Sequence, residues 1–376
     1  MGKAESLLPR LEVRCKELSV VIETDALSGE SSGLPSIFNT LKHAVGRFIG
    51  SRRQTERHIF NQVNAVFKPG TLTLFLGQPG SGKSTLMKVL AGQFSMDMNV
   101  TVKGEISYNG LEWKEVLPKL PQFASYVPQN DHHFPSLTVQ ETLDFAHLCC
   151  AGHLDQLQHC PEAIIDQFGL NSCRDTQIDN TLNRGVSGGE CRRVKSDEMQ
   201  FGTKSIAFLD EISTGLDSAT TFDIIWRQRE IARNEQKTIV MSLLQPTPEV
   251  FELFDSILLL NDGDVLYHVP RDQVLPYFQN LGLICPLKVD IADFLLDIAT
   301  KQQQQYEMIR TGNLLSRIPR RGREFADRFR QSSLFKDTMR MLKIPPSMEM
   351  QCNICWKHHN TDNHSGPGLQ RWQSAS

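Results

Sequence analysis

The segment Thr71–Gln93, which reads TLTLFLGQPGSGKSTLMKVLAGQ, constrains the fold of this chain more than any other. An apolar run over residues 72–76 ends at a glycine-rich loop, and a helical pattern over residues 83–90 begins where the loop ends. A strand, a tight loop and a helix in this order are typical of an α/β unit with a parallel sheet. The segment therefore predicts an α/β fold with this loop at the carboxyl end of a strand.

The loop has the spacing of a phosphate-binding loop, with four residues between two glycines and then a Lys-Ser pair. Glycines let backbone N–H groups approach phosphate oxygens closely, and the N-terminus of the following helix attracts the same anion. Lys83 is expected to reach the β- and γ-phosphates, and the Ser84 hydroxyl to bind Mg²⁺. The alternative is an ordinary glycine-rich turn between a strand and a helix. The residues expected to hold the nucleotide are Gly77, Gly80, Gly82, Lys83, Ser84 and Thr85.

The composition narrows the possible partners. The net charge of −3 gives no global basic field, so nucleic acid is not an expected partner. Nine scattered cysteines fit a reducing cytosol better than a disulfide framework.

No apolar run approaches the roughly 20 residues of a membrane-spanning helix. Any action of this chain at a membrane is therefore expected to take place from one side of the membrane, without crossing it. Gly2 and Ser6 match the short myristoylation pattern, which often arises by chance.

A second group of candidate residues follows the short apolar run Ser205–Leu209, which leads into Asp210 and Glu211. A strand that is apolar on both faces suits the centre of a parallel sheet, and α/β folds place their chemistry at the carboxyl ends of such strands. Asp210 is expected to hold Mg²⁺ through water, and Glu211 to polarise an attacking water. The alternative is that the two acids cap the next helix.

A third pattern is the sequence RGVSGGECRRV. Ser187, Gly188 and Gly189 directly precede a helical pattern, and such residues leave backbone N–H groups pointing outward at a helix N-terminus. An ordinary Ser-capped helix is the alternative interpretation. Further upstream, Thr138 and Glu141 have the spacing of a capping box, which predicts the start of another helix.

These elements, in this order, resemble the nucleotide-binding domain of ABC transporters. The finer resemblance is to the first nucleotide-binding domain of the G subfamily, pleiotropic drug resistance type. It spans roughly Leu11–Phe335 and rests on the stretches GQPGSGKSTLMKVLAG, YVPQNDHHFPSLTVQETLDFAH, RGVSGGECRRV, FLDEISTGLDSAT, SLLQPTPEVFELFD and VDIADFLLD.

The resemblance implies a P-loop NTPase core of the ABC ATPase type, with an antiparallel β-subdomain and a helical subdomain inserted at about residues 136–202. It places the nucleotide-binding domain at residues 1–310, and a basic connector helix with a low-complexity tail at residues 311–376. It also implies ATP hydrolysis that drives the export of lipids or drugs, with ATP and Mg²⁺ as cofactors. The chain would act at the cytoplasmic face of a membrane, where its partners hold it.

The same resemblance assigns roles and partners. Gln129 would link the bound nucleotide and Mg²⁺ to the membrane domain. The signature Ser187, Gly188 and Gly189 would close over the γ-phosphate of ATP held by a second nucleotide-binding domain in a head-to-tail dimer. Asp217 would belong to the loop that communicates between the two sites. The implied catalytic residues are Glu211 and Gln129, and the implied metal-binding residues are Ser84, Gln129 and Asp210.

Several positions depart from the family pattern. Cys191 replaces the first arginine of the usual ERKRV continuation, and no tyrosine lies in the first strand to stack on adenine. Leu244 occupies the position where most ABC domains carry a histidine that contacts the γ-phosphate, and a leucine cannot form this hydrogen bond. Hydrolysis at the chain's own site is therefore expected to be slow. Because the sequence runs into a polar tail, 346–376, a chain without the membrane domain is expected.

Other functions fit parts of the sequence. A soluble ABC ATPase of translation would carry two such domains, and one of chromosome maintenance would carry long coiled-coil heptads. A module that binds ATP and a partner without transport is the remaining alternative.

The tail contains a possible metal-binding motif, formed by Cys352, Cys355, His358 and His359. The motif is too tightly spaced for an ordinary zinc finger, so no metal is expected there.

A basic segment precedes the tail. Phe325 and Phe329 lie four apart on one face of a predicted helix, among six arginines. The arginines favour a surface near lipid headgroups over a nucleic-acid site. They are Arg317, Arg320, Arg321, Arg323, Arg328 and Arg330.

Overall fold

The structure is a computed structural model that describes residues 10–25, 54–95, 99–129, 134, 136–151, 160–178, 186–198, 204–308 and 318–346. Its strands are β1 (Val13–Asp25), β2 (Gln54–Phe67), β3 (Leu72–Leu76), β4 (Val100–Tyr108), β5 (Leu111–Glu112), β6 (Ala124–Val127), β7 (Ile206–Asp210), β8 (Thr238–Ser242), β9 (Ser256–Asn261) and β10 (Asp264–Pro270). Gly2 and the tail motif lie outside the described residues, so the predictions for them stay predictions.

The α-helices of the described residues lie between and after these strands. They are α1 (Lys83–Leu90), α2 (Trp113–Val116), α3 (Leu120–Phe123), α4 (Val139–Ala151), α5 (Pro161–Phe168), α6 (Gly188–Glu198), α7 (Ser218–Glu235), α8 (Pro248–Phe251), α9 (Val274–Asn280), α10 (Ile291–Asp297), α11 (Gly322–Gln331) and α12 (Ser333–Lys343).

A six-stranded sheet in the order β10-β9-β3-β8-β7-β6 forms the centre of the fold. Strands β9, β3, β8, β7 and β6 run parallel, and β10 returns antiparallel to β9. Every residue of β3 and β8 is buried, because helices cover both faces of a parallel sheet. The apolar run predicted as a central strand is β7, which lies between β8 and β6, so this prediction is confirmed.

A second, antiparallel sheet has the order β2-β1-β4-β5. Its strands β4 and β5 are joined by a tight turn at Asn109 and Gly110, both of which have positive φ. The Asn109 side chain also donates to the Arg10 carbonyl and accepts from the Glu12 N–H, which fixes this turn against the start of β1. This sheet is the antiparallel β-subdomain that the sequence predicts.

The helices α4, α5 and α6 are inserted between β6 and β7, where the helical subdomain is expected. The helix α4 begins with the predicted capping box, which is confirmed. The Thr138 N–H donates to the Glu141 carboxylate at 2.9 Å, and the Glu141 N–H donates to the Thr138 hydroxyl at 3.2 Å. The exact bounds of the subdomain, 136–202, stay a prediction because residues 199–203 are not described.

The last two helices pack against the core. Phe325 and Phe329 of α11 are 0% and 2% exposed. The ring of Phe325 lies 6.2 Å from that of Phe278, and the ring of Phe329 lies 5.9 Å from that of Tyr267 on β10. The predicted apolar face of this segment therefore buries its aromatic rings in the protein rather than presenting them to a partner.

Candidate nucleotide-binding site

The phosphate loop connects β3 to α1, and its lysine is held inside it. The Lys83 ammonium donates to the Gly77 carbonyl at 2.6 Å and to the Gln78 carbonyl at 3.2 Å. Burial lowers the pKa of Lys83, while the nearby Glu211 and Asp210 carboxylates oppose this effect. A desolvated, oriented cation at a helix N-terminus suits a polyanionic phosphate chain.

The wall of the loop is formed by the edge strand β2. Gly82 has a φ of 100°, and a Cβ at this position would lie 3.1 Å from the Ile59 carbonyl oxygen. The same carbonyl lies against Gly263 in the turn between β9 and β10, where a Cβ would approach it to 2.4 Å. Glycine is needed at both positions, because a side chain would push β2 away from the loop.

A cleft of about 900 Å³ opens beside the loop and brings most of the predicted residues together. At one end it is lined by the phosphate loop and by Gln129, Glu211 and Leu244. At the other end, β1 and β2 contribute Ile22, Arg57, His58 and Ile59, joined by Asp262. The lining residues from the loop are Pro79, Gly80, Gly82, Lys83, Ser84 and Thr85.

Asp210 directly precedes the cleft residue Glu211 and is 2% exposed, but it is not among the residues that line the cleft. The Tyr126 hydroxyl donates to its Oδ2 at 2.9 Å, and the Ser242 hydroxyl donates to its Oδ1 at 2.5 Å. A carboxylate offers about four acceptor positions, so both oxygens keep lone pairs for a further ligand such as a metal-bound water. Two hydrogen bonds from neighbouring strands hold the carboxylate in one orientation.

Glu211 follows Asp210 in an uncommon backbone conformation, with a φ of 48°. Its N–H donates to the Ser242 carbonyl at 3.1 Å and to the Ser242 hydroxyl at 3.0 Å, which holds this strained position. The Gln129 amide donates to its carboxylate at 2.6 Å. Burial and the Asp210 charge raise the pKa of Glu211, and Lys83 opposes this effect. A more basic carboxylate is better suited to accept a proton from water.

The acids do not cap the next helix, so that alternative interpretation is wrong. Asp217 is the N-cap of α7, and its carboxylate accepts from the Thr220 N–H at 3.2 Å. Hydrogen bonds from the side chain and the N–H of Thr220 are the main cause of the lowered pKa of Asp217. Asp217 is not among the residues that line the cleft.

The signature residues lie at the N-terminus of α6, away from the cleft lining. The helix is Ser-capped: the Ser187 hydroxyl donates to Glu190 at 2.7 Å, and the Glu190 N–H donates back at 3.3 Å. Hydrogen bonds from Ser187 and Cys173 help to lower the pKa of Glu190. A Cβ on Gly189 would lie 3.3 Å from Thr220, so this end of α6 packs against the Asp217 turn.

Sequence reasoning missed four residues at this site. Tyr126 and Ser242 lie within apolar strands, and only the neighbouring strand shows that their hydroxyls face Asp210. Arg57 and His58 lie in the polar first half of β2, which has no apolar alternation. The signal that could have found them is the pairing with β1, in which Val21 is opposite His58 and Ile22 opposite Arg57.

The residues present fit a Mg–nucleotide. Hydroxyl, amide and carboxylate oxygens are the ligands that Mg²⁺ prefers. Ser84 and Gln129 in the cleft lining, and Asp210 next to the lining residue Glu211, supply one of each. When bound, the metal would neutralise phosphate charge. Lys83 and Glu211 line the same cleft, so Lys83 would orient the phosphate end and Glu211 would offer an acceptor for a proton of water.

Comparison with known proteins agrees with this geometry. Residues 60–214 match the sequence model of the ABC transporter family. Together with the cleft and the separate signature helix, this match defines the class: the chain contains an ABC transporter nucleotide-binding domain, which is an ATPase domain with the P-loop NTPase fold. The predicted fold class and enzyme class are therefore confirmed.

More particularly, the chain is similar to members of the G family of ABC transporters. It is 35% identical to G family member 30 of Arabidopsis thaliana over 94% of this chain and 27% of that protein. It is 37% identical to member 41 of the same plant over 80% of this chain and 24% of that protein. Member 40 of Oryza sativa subsp. japonica is 36% identical over 90% of this chain and 25% of its own length. The chain thus spans about a quarter of the length of the curated relatives it matches.

A second sequence model, that of the ABC-2 type transporter family, matches residues 244–314. This match does not agree with the expectation that the chain contains no part of a membrane domain. The described part of the matched segment forms β9, β10 and the helices α8 to α10, which pack into the core. In the part of the chain that the structure describes, no helix combines the length and apolar character needed to span a bilayer.

Proposed function

We propose that this chain is the first nucleotide-binding domain of a G-subfamily, pleiotropic drug resistance type transporter. It binds MgATP through the phosphate loop, Gln129 and Asp210, and hydrolyses ATP with Glu211 as the base. It pairs head-to-tail with a second nucleotide-binding domain at the cytoplasmic face. The pair drives the export of lipids or drugs through membrane domains. The similarity to ABC transporters supports this function over a binding module that works without transport.

The observation that carries the proposal is the separation of two anion-binding elements. The cleft gathers Lys83, Gln129 and Glu211, whereas Ser187 and Gly189 are not among its lining residues, and Gly189 packs against Thr220 beside the Asp217 turn. One bound nucleotide is therefore not surrounded by this chain alone. A second domain that offers its own signature would complete the site. The free energy of ATP binding would then favour the closed dimer.

A surface for the membrane domain is available on α4. Phe145 and Leu148 are 54% and 75% exposed and lie three residues apart, on neighbouring turns of one helix. Phe134, upstream of the same helix, is 65% exposed. Large apolar side chains grouped in this way favour a protein partner over water, and we assign this face to the membrane domain.

Mutation of the phosphate-loop lysine tests the proposal. In Lys83→Ala, affinity for MgATP should fall by at least roughly tenfold, about 1.4 kcal/mol, because the buried cation no longer faces the phosphates. Titration of the purified chain with MgATP measures this loss. Lys88→Ala, on the last turn of the same helix, is the matched control and should bind normally. Unchanged affinity in a folded Lys83→Ala protein would show that the cleft is not the nucleotide site.

A further inference from the structure

A second cavity, of about 540 Å³, lies between the antiparallel sheet and the end of α12. One wall is formed by β1 and β4. On β1, Arg14 and Lys16 alternate with the buried Val13 and Cys15, so they point away from the core and towards the cavity that they line. Another wall is formed by residues 342–346. None of the residues that line this cavity also lines the nucleotide cleft, and its volume is typical of a site for a small molecule.

The two walls are joined by Arg14. Its guanidinium donates to the Ile344 carbonyl after the end of α12 and also to the Glu12 carboxylate. Both walls contribute apolar surface, Val102 from β4 and Leu342 and Ile344 from the end of the helix. Ile344 is 58% exposed, which is unusual for a large apolar side chain. A cavity whose walls are already joined loses little conformational freedom when a ligand binds.

Trp113, the first residue of α2, gives the cavity a flat aromatic surface and an unused donor. Its side chain is half-buried, and its indole Nε1 has no acceptor in the part of the chain that the structure describes. A buried donor without a partner costs free energy, which a ligand acceptor that reached it would recover. The indole ring also favours a flat apolar partner that stacks on it. A ligand with a ring system and an acceptor group therefore fits this side chain.

The charges of the lining favour an anion. The Lys16 ammonium is paired with the Glu105 carboxylate at 3.1 Å. Lys114 and Lys343 are exposed lining residues, and no carboxylate of the described residues lies within 4.0 Å of either ammonium. Glu112 adds one carboxylate to the lining, so the unpaired cations outnumber it. An anionic group placed beside the two lysines would gain two partners of opposite charge.

We propose that this cavity binds a small organic anion with a flat ring system, such as an aromatic carboxylate. The ring lies against Trp113 and the apolar end of α12, and the anionic group lies beside Lys114 and Lys343. Because the ligand contacts both walls, it stabilises the packing of α12 on the antiparallel sheet. The ligand and MgATP occupy separate sites and bind at the same time. The inference does not depend on the proposed function.

Fluorine NMR of the full chain tests the site with two matched probes. One probe is a fluorinated naphthoate, a flat ring system with one carboxylate, and the other is its uncharged amide. The naphthoate should bind with a Kd of about 1 mM or below, which is ordinary for a ligand of this size. The amide should bind at least roughly threefold more weakly, because ion pairs at an exposed rim are individually modest. Saturating MgATP should leave both Kd values unchanged, since no lining residue is shared.

Two sets of variants assign the binding to this cavity. Lys114→Gln combined with Lys343→Gln should raise the Kd for the naphthoate at least roughly threefold and remove its advantage over the amide. Lys288→Gln combined with Lys336→Gln is the matched control, because both are exposed lysines outside the lining, and it should keep this advantage. Trp113→Leu should weaken the binding of both probes, because it removes the stacking surface. If Trp113→Leu does not fold, the lysine variants decide, since both side chains are exposed.

Four results would each overturn the inference. They are no binding of the naphthoate to the wild type, equal affinity of the wild type for the two probes, an advantage of the naphthoate that persists without Lys114 and Lys343, and displacement of the naphthoate by MgATP. The last result would place the probe in the nucleotide cleft.

Discussion

Leu244 is a residue of the cleft wall that has no group suited to phosphate transfer. It lines the cleft together with Lys83 and Glu211, yet it has no group that can donate to the γ-phosphate. Its neighbour Gln245 is exposed and is not part of the lining, so it does not replace the missing donor. We propose that this site turns over slowly and that the chain mainly completes the partner's site.

Restoring a donor at this position should raise the rate. In Leu244→His, ATP hydrolysis at the chain's own site should increase by roughly a hundredfold, the order of magnitude typical of one preorganised donor. The rate is measured with the partner domain present and the partner's own site inactivated. Gln245→His is the control and should not accelerate hydrolysis. No gain in a folded Leu244→His protein would show that the leucine is not what limits the rate.

The proposed difference between a slow site on this chain and a faster site on the partner leads to a paired prediction. In a reconstituted pair, Ser187→Arg should abolish most turnover if the signature serves the partner's site, as we propose. Glu211→Gln should remove only a minority, because it disables the slow site. Steady-state phosphate release measures both. The reverse order, in which Glu211→Gln stops nearly all hydrolysis and Ser187→Arg is mild, would contradict the proposal.

Ser242 orients both acids through one hydroxyl, which donates to Asp210 and accepts from the Glu211 N–H. In Ser242→Ala both groups lose a buried partner, and the free energy of unfolding should fall by about 1–3 kcal/mol. The Mg²⁺ concentration needed for ATP binding should also rise. Ser256→Ala removes a hydroxyl pair with Thr73 away from the acids. This variant should lower the free energy of unfolding without changing the Mg²⁺ concentration needed for ATP binding. An equal change of that Mg²⁺ concentration in both variants would contradict the role of Ser242.

Among the elements, α11 contributes to the stability of the ATPase fold. Phe325→Ala should lower the free energy of unfolding by about 3–5 kcal/mol, because it leaves a cavity beside Phe278. Denaturant unfolding with tryptophan fluorescence measures the loss. Arg328→Ala, on the exposed side of the same helix, should change stability by less than about 0.5 kcal/mol. A small effect of Phe325→Ala would mean that α11 is held only loosely.

Elements with a strong local pattern could be predicted from the sequence. The helix α1 has the predicted bounds 83–90, and the capping box of Thr138 and Glu141 begins α4 as expected. The start of β2 could not be predicted, because its first residues, QTERH, are polar and become a strand only through pairing with β1. For the same reason, Arg57 and His58, which line the other end of the cleft, could not be predicted from the sequence. Which hydroxyl faces Asp210 depends on the register between β6, β7 and β8, and register is a property of the sheet.

At the scale of the whole molecule, His268 connects the two sheets. It lies on β10 in the six-stranded sheet, and its Nε2 accepts from the Val66 N–H on β2 at 3.3 Å. Burial lowers the pKa of His268 to about 4. In the unfolded chain a histidine titrates near pH 6.5, so between these values the unfolded state binds more protons and stability falls as the pH falls.

This histidine should therefore make the fold sensitive to mild acid. From pH 6.5 to pH 4, it should lower the free energy of unfolding by about 3 kcal/mol, and the loss from this group should level off below pH 4. His268→Gln keeps an acceptor for Val66 without titrating in this range, so its unfolding free energy should depend less on pH. Parallel profiles for the two proteins would show that His268 is not the cause.

The carbonyl of Ile59 connects distant parts of the chain, since Gly82 of the phosphate loop and Gly263 of the β9–β10 turn both rest on it. A genetic screen for lost nucleotide binding would consequently return alleles at Gly263 as well as in the loop itself. A second-site suppressor of such an allele is expected on β2 rather than near the phosphates. Natural variation at these two glycines should for the same reason be constrained jointly, although one belongs to the motif and the other does not.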